Sequence, residues 1–146
     1  MQDSSHFLLD TNIVVDLFRG NKLGKMLDAE FGLRASFSRC MISVITVGEL
    51  LYLARQWGWD AAKCASLREF LAEMVVMDID TPPILDCYAE IADFVRKQRI
   101  GDNDTWIAAT AKAAQLTLLT RDKDFDRLDG KLITRIRIDP KTGKPV

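Results

Sequence analysis

The sequence contains one histidine and three cysteines in 146 residues, and it has neither an excess of basic residues nor a long apolar run. A serine or cysteine nucleophile usually needs a histidine beside it, and the only one available is His6, ahead of the first apolar run. The formal net charge of −1 provides no overall positive field. A polyanionic partner would therefore have to be held by a local patch, by a metal ion, or by both.

The cysteines, Cys40, Cys64 and Cys87, are odd in number, widely spaced and not arranged as a metal-binding pair. We interpret them as reduced packing residues of a cytoplasmic protein. The chain opens with no basic stretch followed by an apolar one, and no segment is long enough to span a bilayer, so we expect neither export nor membrane insertion. Its length and its 48% hydrophobic content suit one globular domain.

Short apolar runs alternate with helical patterns along the whole chain. Strands are predicted at residues 7–9, 41–45, 75–77, 116–119 and 132–138, the last at a sheet edge. Helices are predicted up to Gly20, from Val47 with Thr46 as its cap, and at residues 61–74, 82–99 and 104–114. This alternation predicts a single three-layer α/β/α domain with a mostly parallel central sheet, over residues 1–139. Residues 140–146, rich in proline and lysine, are expected to form a flexible tail.

Four acidic residues stand where an apolar run ends or a helix begins: Asp10, Glu49, Asp104 and Asp122. Taken singly, each suits an ordinary helix cap or a first-turn acid. Because the carboxyl ends of parallel strands and the helix starts beside them meet in one crevice, the four together predict a cluster. Carboxylates in a cluster repel one another unless a cation lies between them, and hard divalent cations prefer oxygen ligands.

Such a cluster supports metal-assisted cleavage of a phosphodiester bond. Two metal ions roughly 3.5–4 Å apart can activate a water molecule and steady the leaving oxygen. No histidine base is needed, which agrees with the scarcity of histidine. The four acids are therefore candidate catalytic residues and candidate metal ligands.

The same acids lie in four short motifs that span nearly the whole chain: Leu9-Asp10-Thr11-Asn12, Ser43 to Leu50, Asp104 to Ala111, and Leu119 to Phe125. In this order and spacing the chain resembles the PIN-domain ribonucleases, specifically the VapC-type toxins of bacterial and archaeal toxin–antitoxin pairs. The resemblance implies a PIN fold and endonucleolytic cleavage of RNA that depends on Mg²⁺ or Mn²⁺. It also implies a homodimer and inhibition by a small antitoxin protein.

The resemblance assigns the acids individually. The first three of the four match the most constant acids of the family, and Asp122 matches the fourth, which varies most. Asp124 is a rival ligand to Asp122, because related chains differ in spacing before the phenylalanine. Asp102 competes with Asp104, but only Asp104 has the Ile-Ala-Ala sequence at the right distance.

Residues beside the acids are candidates for supporting roles. Three polar ones can orient carboxylates by hydrogen bonding: Thr11, Asn12 and Thr120. Four basic ones are candidates for RNA binding: Arg121, the best placed because it adjoins an acid of the cluster, and Lys123, Arg19 and Arg99. Trp57 and Trp59 can stack on unpaired bases or be buried at a helix end or a dimer contact.

Three other interpretations remain open. The segment from Asp78 to Thr81 resembles the phosphoaspartyl motif of haloacid-dehalogenase phosphatases, although Pro82 and Pro83 follow it and no matching lysine context exists. A PIN fold can also serve as a non-catalytic RNA- or protein-binding module, but a pure binder gains nothing from four repelling carboxylates. The third alternative is an RNA-processing nuclease without a toxin role.

Overall fold

The computed structural model describes residues 7–146, apart from the side chains of residues 37–39, so His6 lies outside the described residues. Within that part of the chain, five short strands form one parallel sheet in the order β3-β2-β1-β4-β5. The strands are β1 (Phe7–Leu9), β2 (Met41–Ser43), β3 (Val75–Met77), β4 (Thr117–Thr120) and β5 (Thr134–Arg137). The prediction of a mostly parallel sheet is confirmed, and β5 lies at the expected edge.

Helices cover both faces of this sheet. They are α1 (Thr11–Arg19), α2 (Lys22–Phe31), α3 (Val44–Gln56), α4 (Ala61–Ala72), α5 (Pro82–Phe94) and α6 (Asp102–Ala114). Core residues of α1 to α4 pack in one apolar cluster, and those of α5 and α6 pack in a second. The three-layer α/β/α architecture predicted from the sequence is therefore confirmed.

The central strands explain why both layers are needed. Along β1, Leu9 packs into the first cluster and Leu8 into the second, and Leu119 and Leu118 of β4 divide in the same way. Successive side chains of a strand point to opposite faces, so a strand that is apolar at every position requires cover on both sides. Strands β1 and β4 accordingly lie inside the sheet, whereas β3, which is also apolar, lies at an edge with Val75 and Val76 partly exposed.

Several element boundaries match the prediction. Strands β1 and β3 occupy the predicted residues, and α1 ends at Gly20, whose φ of 59° is left-handed and whose N–H donates to the Asp16 carbonyl. Helix α5 begins at Pro82 as expected but ends at Phe94, short of residue 99. Beyond it, turn-type hydrogen bonds take over, such as the one from the Arg96 N–H to the Asp93 carbonyl.

The start of α3 differs from the prediction. The helix begins at Val44, directly after β2, and the Ser43 side chain caps it by accepting a hydrogen bond from the Ile45 N–H. Valine and isoleucine favour strands only weakly, and a serine cap overrides that preference. Thr46 is therefore inside the helix and Glu49 lies in its second turn.

The strand order creates a crevice at one edge. The chain leaves β1 towards β2 on one side, and β4 lies on the other side of β1. In open parallel sheets, the carboxyl ends of two strands at such a reversal are where ligands bind. Asp10 follows β1 and Asp122 follows β4 after a single intervening residue, Arg121.

The last residues lie against β5. Ile138 forms an isolated bridge with Pro145, and the Val146 N–H donates to the Arg137 carbonyl at 2.9 Å. These contacts join residues 145 and 146 to the end of the sheet. The flexibility expected for residues 140–146 stays a prediction. None of the helices in residues 7–146 is long and apolar enough to cross a membrane.

Candidate active site

A cavity of about 360 Å³ opens at the carboxyl edge of the sheet, and all four predicted acids line it. Asp10 ends β1 and caps α1, and Asp122 follows β4 and caps the 3₁₀ turn Lys123–Phe125. Asp104 lies in the first turn of α6, and Glu49 lies on α3. Acids from four different parts of the chain therefore share one concave surface.

Asp10 is the most deeply placed of these acids, with 4% of its surface exposed. One carboxylate oxygen accepts from the Thr11 N–H at 2.8 Å. The other accepts from the Thr120 hydroxyl at 2.6 Å and from the Asn12 side-chain amide at 3.4 Å. The three polar residues proposed to orient carboxylates all lie at the site, and Asn12 and Thr120 contact Asp10 through their side chains.

Burial and mutual repulsion change how these acids titrate. Burial raises the pKa of Asp10 to about 6, against the hydrogen bonds from Thr120 and Thr11, and the negative charges of Glu49 and Asp122 add to the increase. Burial likewise raises the pKa of Asp104 to about 7, and neighbouring carboxylates, Asp10 first, raise it further. A cavity that disfavours negative charge in this way has a strong preference for a cation.

Three carboxylates converge closely enough to hold one ion. Asp104, Asp122 and Asp124 each offer an oxygen, and these oxygens lie within 4.8 Å of one another. An all-oxygen donor set suits a hard divalent cation such as Mg²⁺. Asp124, expected as a rival to Asp122, lies beside it, and its N–H donates to the Asp122 carboxylate at 2.8 Å. Asp102, the competitor of Asp104, is exposed and pairs with Arg99 at 3.6 Å.

Glu49 is held by a threonine of another helix. The Thr11 hydroxyl donates to the Glu49 carboxylate at 2.7 Å, and the Thr46 hydroxyl lies 3.1 Å from the Thr11 hydroxyl. Thr46 is fully buried, and the sequence suggested only a helix cap for it. This short chain of hydroxyl groups connects α1 to α3 beneath the cavity.

Arg121, the best-placed candidate for RNA binding, already has a partner inside the protein. Its Nε lies 3.0 Å from Oδ2 of Asp16, and that carboxylate also accepts from the Asn21 side chain at 3.2 Å. Asp16 is buried and lines the cavity, although sequence reasoning gave it no role. A lone acid within an apolar helical stretch was the available signal, since buried carboxylates are rarely left unpaired.

The other basic candidates differ in their surroundings. Arg99 pairs with the exposed Asp102, and Lys123 is exposed and follows Asp122 in the chain but does not line the cavity. Arg19 lines the cavity with its guanidinium group over the Trp57 ring, 4.3 Å from the ring centroid.

The alternative phosphatase motif lies elsewhere. Asp78 follows β3, at the opposite edge of the sheet from β5, and one of its carboxylate oxygens accepts from the backbone N–H groups of Ile79 and Asp80. The Asp78 side chain therefore stabilises a local turn by hydrogen bonding, and it does not line the acidic cavity.

The fold and the site define an α/β protein with a carboxylate pocket at the switch point of a parallel sheet. The family model for the PIN domain matches residues 7–131. The chain belongs to the PIN domain family, as its motifs predicted.

Individual relatives agree with this assignment. The chain is 30% identical over 125 residues to the Ribonuclease VapC2 of Haemophilus influenzae, covering 84% of this chain and 91% of that protein. It is 32% identical over 133 residues to the Ribonuclease VapC5 of Mycobacterium tuberculosis, covering 84% and 87%. Among solved structures, a toxin–antitoxin complex from Klebsiella pneumoniae matches with a TM-score of 0.66 and 26% identity, covering 91% of this chain and 96% of that one.

Proposed function

We propose that this protein is an endoribonuclease that requires a divalent cation, Mg²⁺ or Mn²⁺, and hydrolyses RNA phosphodiester bonds. The observation that carries the proposal is the cavity in which Asp10, Glu49, Asp104 and Asp122 converge, with raised pKa values for Asp10 and Asp104. Membership of the PIN domain family and relatives named as ribonucleases support the substrate class.

The residues of the cavity have distinct proposed roles. Asp104, Asp122 and Asp124 would hold the cation, and Asp10 and Glu49 would complete its surroundings. A bound divalent cation of this kind lowers the pKa of water and stabilises the leaving oxygen. Thr120, Thr11 and Asn12 fix the positions of the carboxylates by hydrogen bonding. Residues that orient ligands in this way contribute strongly to metal affinity.

Electrostatics would restrict how RNA enters. A phosphate approaching this cavity meets several carboxylates, so it needs compensating positive charge from the cation and from the rim. Arg19, which is exposed and lines the cavity, and Lys123, which is exposed next to Asp122 in the chain, are the candidates to contact the RNA backbone or bases. The Arg121 side chain is paired with Asp16. Its main contribution to the site would therefore be the hydrogen bond that its backbone N–H donates to the Asn12 side chain.

The biological role that we propose is the toxin of a toxin–antitoxin pair, with a small antitoxin protein as its inhibitor. The K. pneumoniae complex, 26% identical to this chain, supports such a partner. Induced expression should arrest growth, and expression together with a cognate small antitoxin protein should relieve the arrest. Growth that continues normally during expression of active protein would favour an RNA-processing role instead.

We further propose a homodimer formed through the outer face of α3. Tyr52 is 63% exposed and Val44 is 37% exposed there, and both border a shallow surface cavity of about 570 Å³. Exposed apolar patches of this kind commonly mark protein contacts. Sedimentation should show a dimer that Tyr52→Glu converts to a monomer, and a parent protein that sediments as a monomer would exclude this interface.

Cleavage of RNA by purified protein tests the central proposal. With Mg²⁺ or Mn²⁺ the parent protein should cut single-stranded RNA and leave 5′-phosphate and 3′-hydroxyl ends, and chelator should stop the reaction. Asp104→Asn should abolish cutting without unfolding the protein. Asp102→Asn is the matched control, because Asp102 lies in the same helical turn but is exposed and paired with Arg99. Cyclic-phosphate ends, or full activity of Asp104→Asn, would refute the mechanism.

A further inference from the structure

The end of the cavity remote from the carboxylate cluster is aromatic and cationic. Trp57, at the C-terminal cap of α3, is 40% exposed and lines the cavity together with Arg19 and Leu53. Glu49, Leu53 and Trp57 are spaced four residues apart, so they follow one face of α3. Eight residues of helix correspond to about 12 Å, which separates Trp57 from Glu49 along the axis of α3.

The Trp57 ring packs against other aromatic rings. Its ring lies 5.4 Å from the Trp59 ring, and Trp59 in turn lies 5.4 Å from the Phe18 ring in the core. Trp59 also carries Lys63 over its face, 4.2 Å from the ring centroid. These contacts fix Trp57 although much of its surface is open. An exposed aromatic ring that is held in place is a ready surface for stacking.

Arg19 adds charge to this surface. Its guanidinium group lies over the Trp57 ring at 4.3 Å, and within residues 7–146 no carboxylate forms an ion pair with it. The second arginine of the cavity, Arg121, is neutralised by Asp16. Arg19 is therefore the cavity cation that no carboxylate neutralises, and because its guanidinium group covers the Trp57 ring, the surface left for stacking is the outer face of that group and the exposed part of the ring. Aromatic rings and guanidinium planes are the groups on which proteins stack unpaired RNA bases.

We propose that Arg19 and Trp57 form a stacking platform for one unpaired base of the RNA, near the nucleotide that is cut. This inference rests on the proposed ribonuclease function and narrows its substrate to RNA that is single-stranded at that position. A duplex would keep its bases stacked on one another and could not offer one to the platform. Sequence preference at this position would be weak, because every base has a face that can stack.

The test pairs protein variants with single abasic riboses in a short single-stranded RNA. The Kd is measured by fluorescence anisotropy with Ca²⁺ in place of Mg²⁺, so that the charge of a cation is present while RNA binds, and KM and kcat are measured with Mg²⁺. Parent protein should lose affinity roughly 5- to 150-fold at one abasic position near the cut. Trp57→Leu should show that loss on intact RNA and be insensitive to the same abasic site, while Trp57→Phe retains most of the affinity. Arg19→Gln should weaken binding in the same direction.

Trp106→Phe is the matched control, because Trp106 stacks on Tyr88 between α5 and α6, away from the cavity. It should bind RNA like the parent. Equal KM values and equal abasic profiles for parent and Trp57→Leu, with metal-dependent cutting intact, would overturn the platform and leave the ribonuclease function standing. A parent that neither binds nor cuts RNA would overturn both. A change of oligomeric state in Trp57→Leu with unchanged RNA affinity would assign this surface to a protein contact instead.

Discussion

Thr120 and Asp10 are separated by 110 positions in the sequence, yet the Thr120 hydroxyl donates a 2.6 Å hydrogen bond to the Asp10 carboxylate. The same hydroxyl accepts from the Asp122 N–H at 2.9 Å. A hydroxyl group has one proton to donate and lone pairs to accept, so Thr120 connects both acids without conflict. This buried link ties the carboxyl end of β1 to that of β4 and sets the spacing between two acids of the site.

Removing the link should weaken both the fold and the metal site. We expect Thr120→Val to lower the free energy of unfolding by about 1–3 kcal/mol, because a buried carboxylate loses a donor. Mn²⁺ affinity, measured by titration calorimetry, should fall about 10- to 100-fold. Thr120→Ser should restore it. Thr110→Val is the control, since Thr110 is equally buried but bonds only within α6, and it should leave Mn²⁺ affinity unchanged.

The raised pKa values predict an unusual dependence of stability on pH in metal-free protein. The pKa of Asp10 is 3.8 when unperturbed and about 6 in the folded protein, so the folded state holds the proton more tightly. Asp10 therefore contributes on the order of 3 kcal/mol to the free energy of unfolding below pH 4, and this contribution is lost as the pH rises to about 6. Asp104, with a pKa of about 7, extends the decline towards neutral pH.

Thermal melting with chelator, compared at pH 5 and pH 8, measures this effect. Other carboxylates also respond to pH, so the informative quantity is the difference between parent and Asp10→Asn, which lacks the titrating group. The parent should lose more stability than the variant as the pH rises, and Mg²⁺ or Mn²⁺ should restore it through binding to the folded state. Identical pH profiles for the two proteins, or indifference to metal, would contradict the cluster.

The ion pair between Asp16 and Arg121 should stabilise the folded protein, because it gives the buried Asp16 carboxylate a positively charged partner. Breaking it with Asp16→Asn removes the charge that Arg121 faces, and we expect a loss of about 1–3 kcal/mol. In a double-mutant cycle with Arg121→Gln, measured by urea unfolding, the double variant should lose about 1 kcal/mol less than the sum of the single variants. Additive losses would mean that the 3.0 Å contact contributes nothing.

Close packing of α2 on α1 predicts opposite effects for two glycines. A Cβ at Gly24 would lie 2.1 Å from the Asp16 carbonyl oxygen, whereas one at Gly48 would meet nothing within 4 Å. We expect Gly24→Ala to destabilise by about 1–3 kcal/mol through overpacking. Gly48→Ala, inside α3, should stabilise by about 0.5–1 kcal/mol because alanine favours a helix. Denaturant midpoints measure both, and a neutral Gly24→Ala would show that the helices lie further apart.

Local signals in the sequence were sufficient for much of the fold. The short apolar run Phe7–Leu9 predicted a buried strand, and Gly20 supplies the left-handed residue that ends α1. The positions of the acids at strand ends and helix starts then followed from the topology of a parallel sheet. Each of these inferences needs only neighbouring residues, because it rests on periodicity or on backbone conformation.

Other features depended on contacts between distant segments. Whether the helix after β2 began at Val44 or Val47 depended on Ser43 as a cap and on packing, which outweigh the weak strand preference of β-branched residues. The pairing of Arg121 with Asp16 required α1 and the β4 turn to be placed side by side. The sequence therefore could not show which basic side chains are neutralised by an acid and which keep a positive charge that a ligand can contact.

The sequence by itself determined the layers and the family, because hydrophobic periodicity and motif spacing are properties of consecutive residues, and it predicted four acids for the site. Only the tertiary structure decided which oxygens come within 4.8 Å of one another, and it brought Asp124, predicted as a rival to Asp122, together with both Asp122 and Asp104. It also decided which arginine keeps its charge free beside Trp57. Desolvation and Coulomb interactions depend on distance and burial in three dimensions, and no linear spacing specifies either of them.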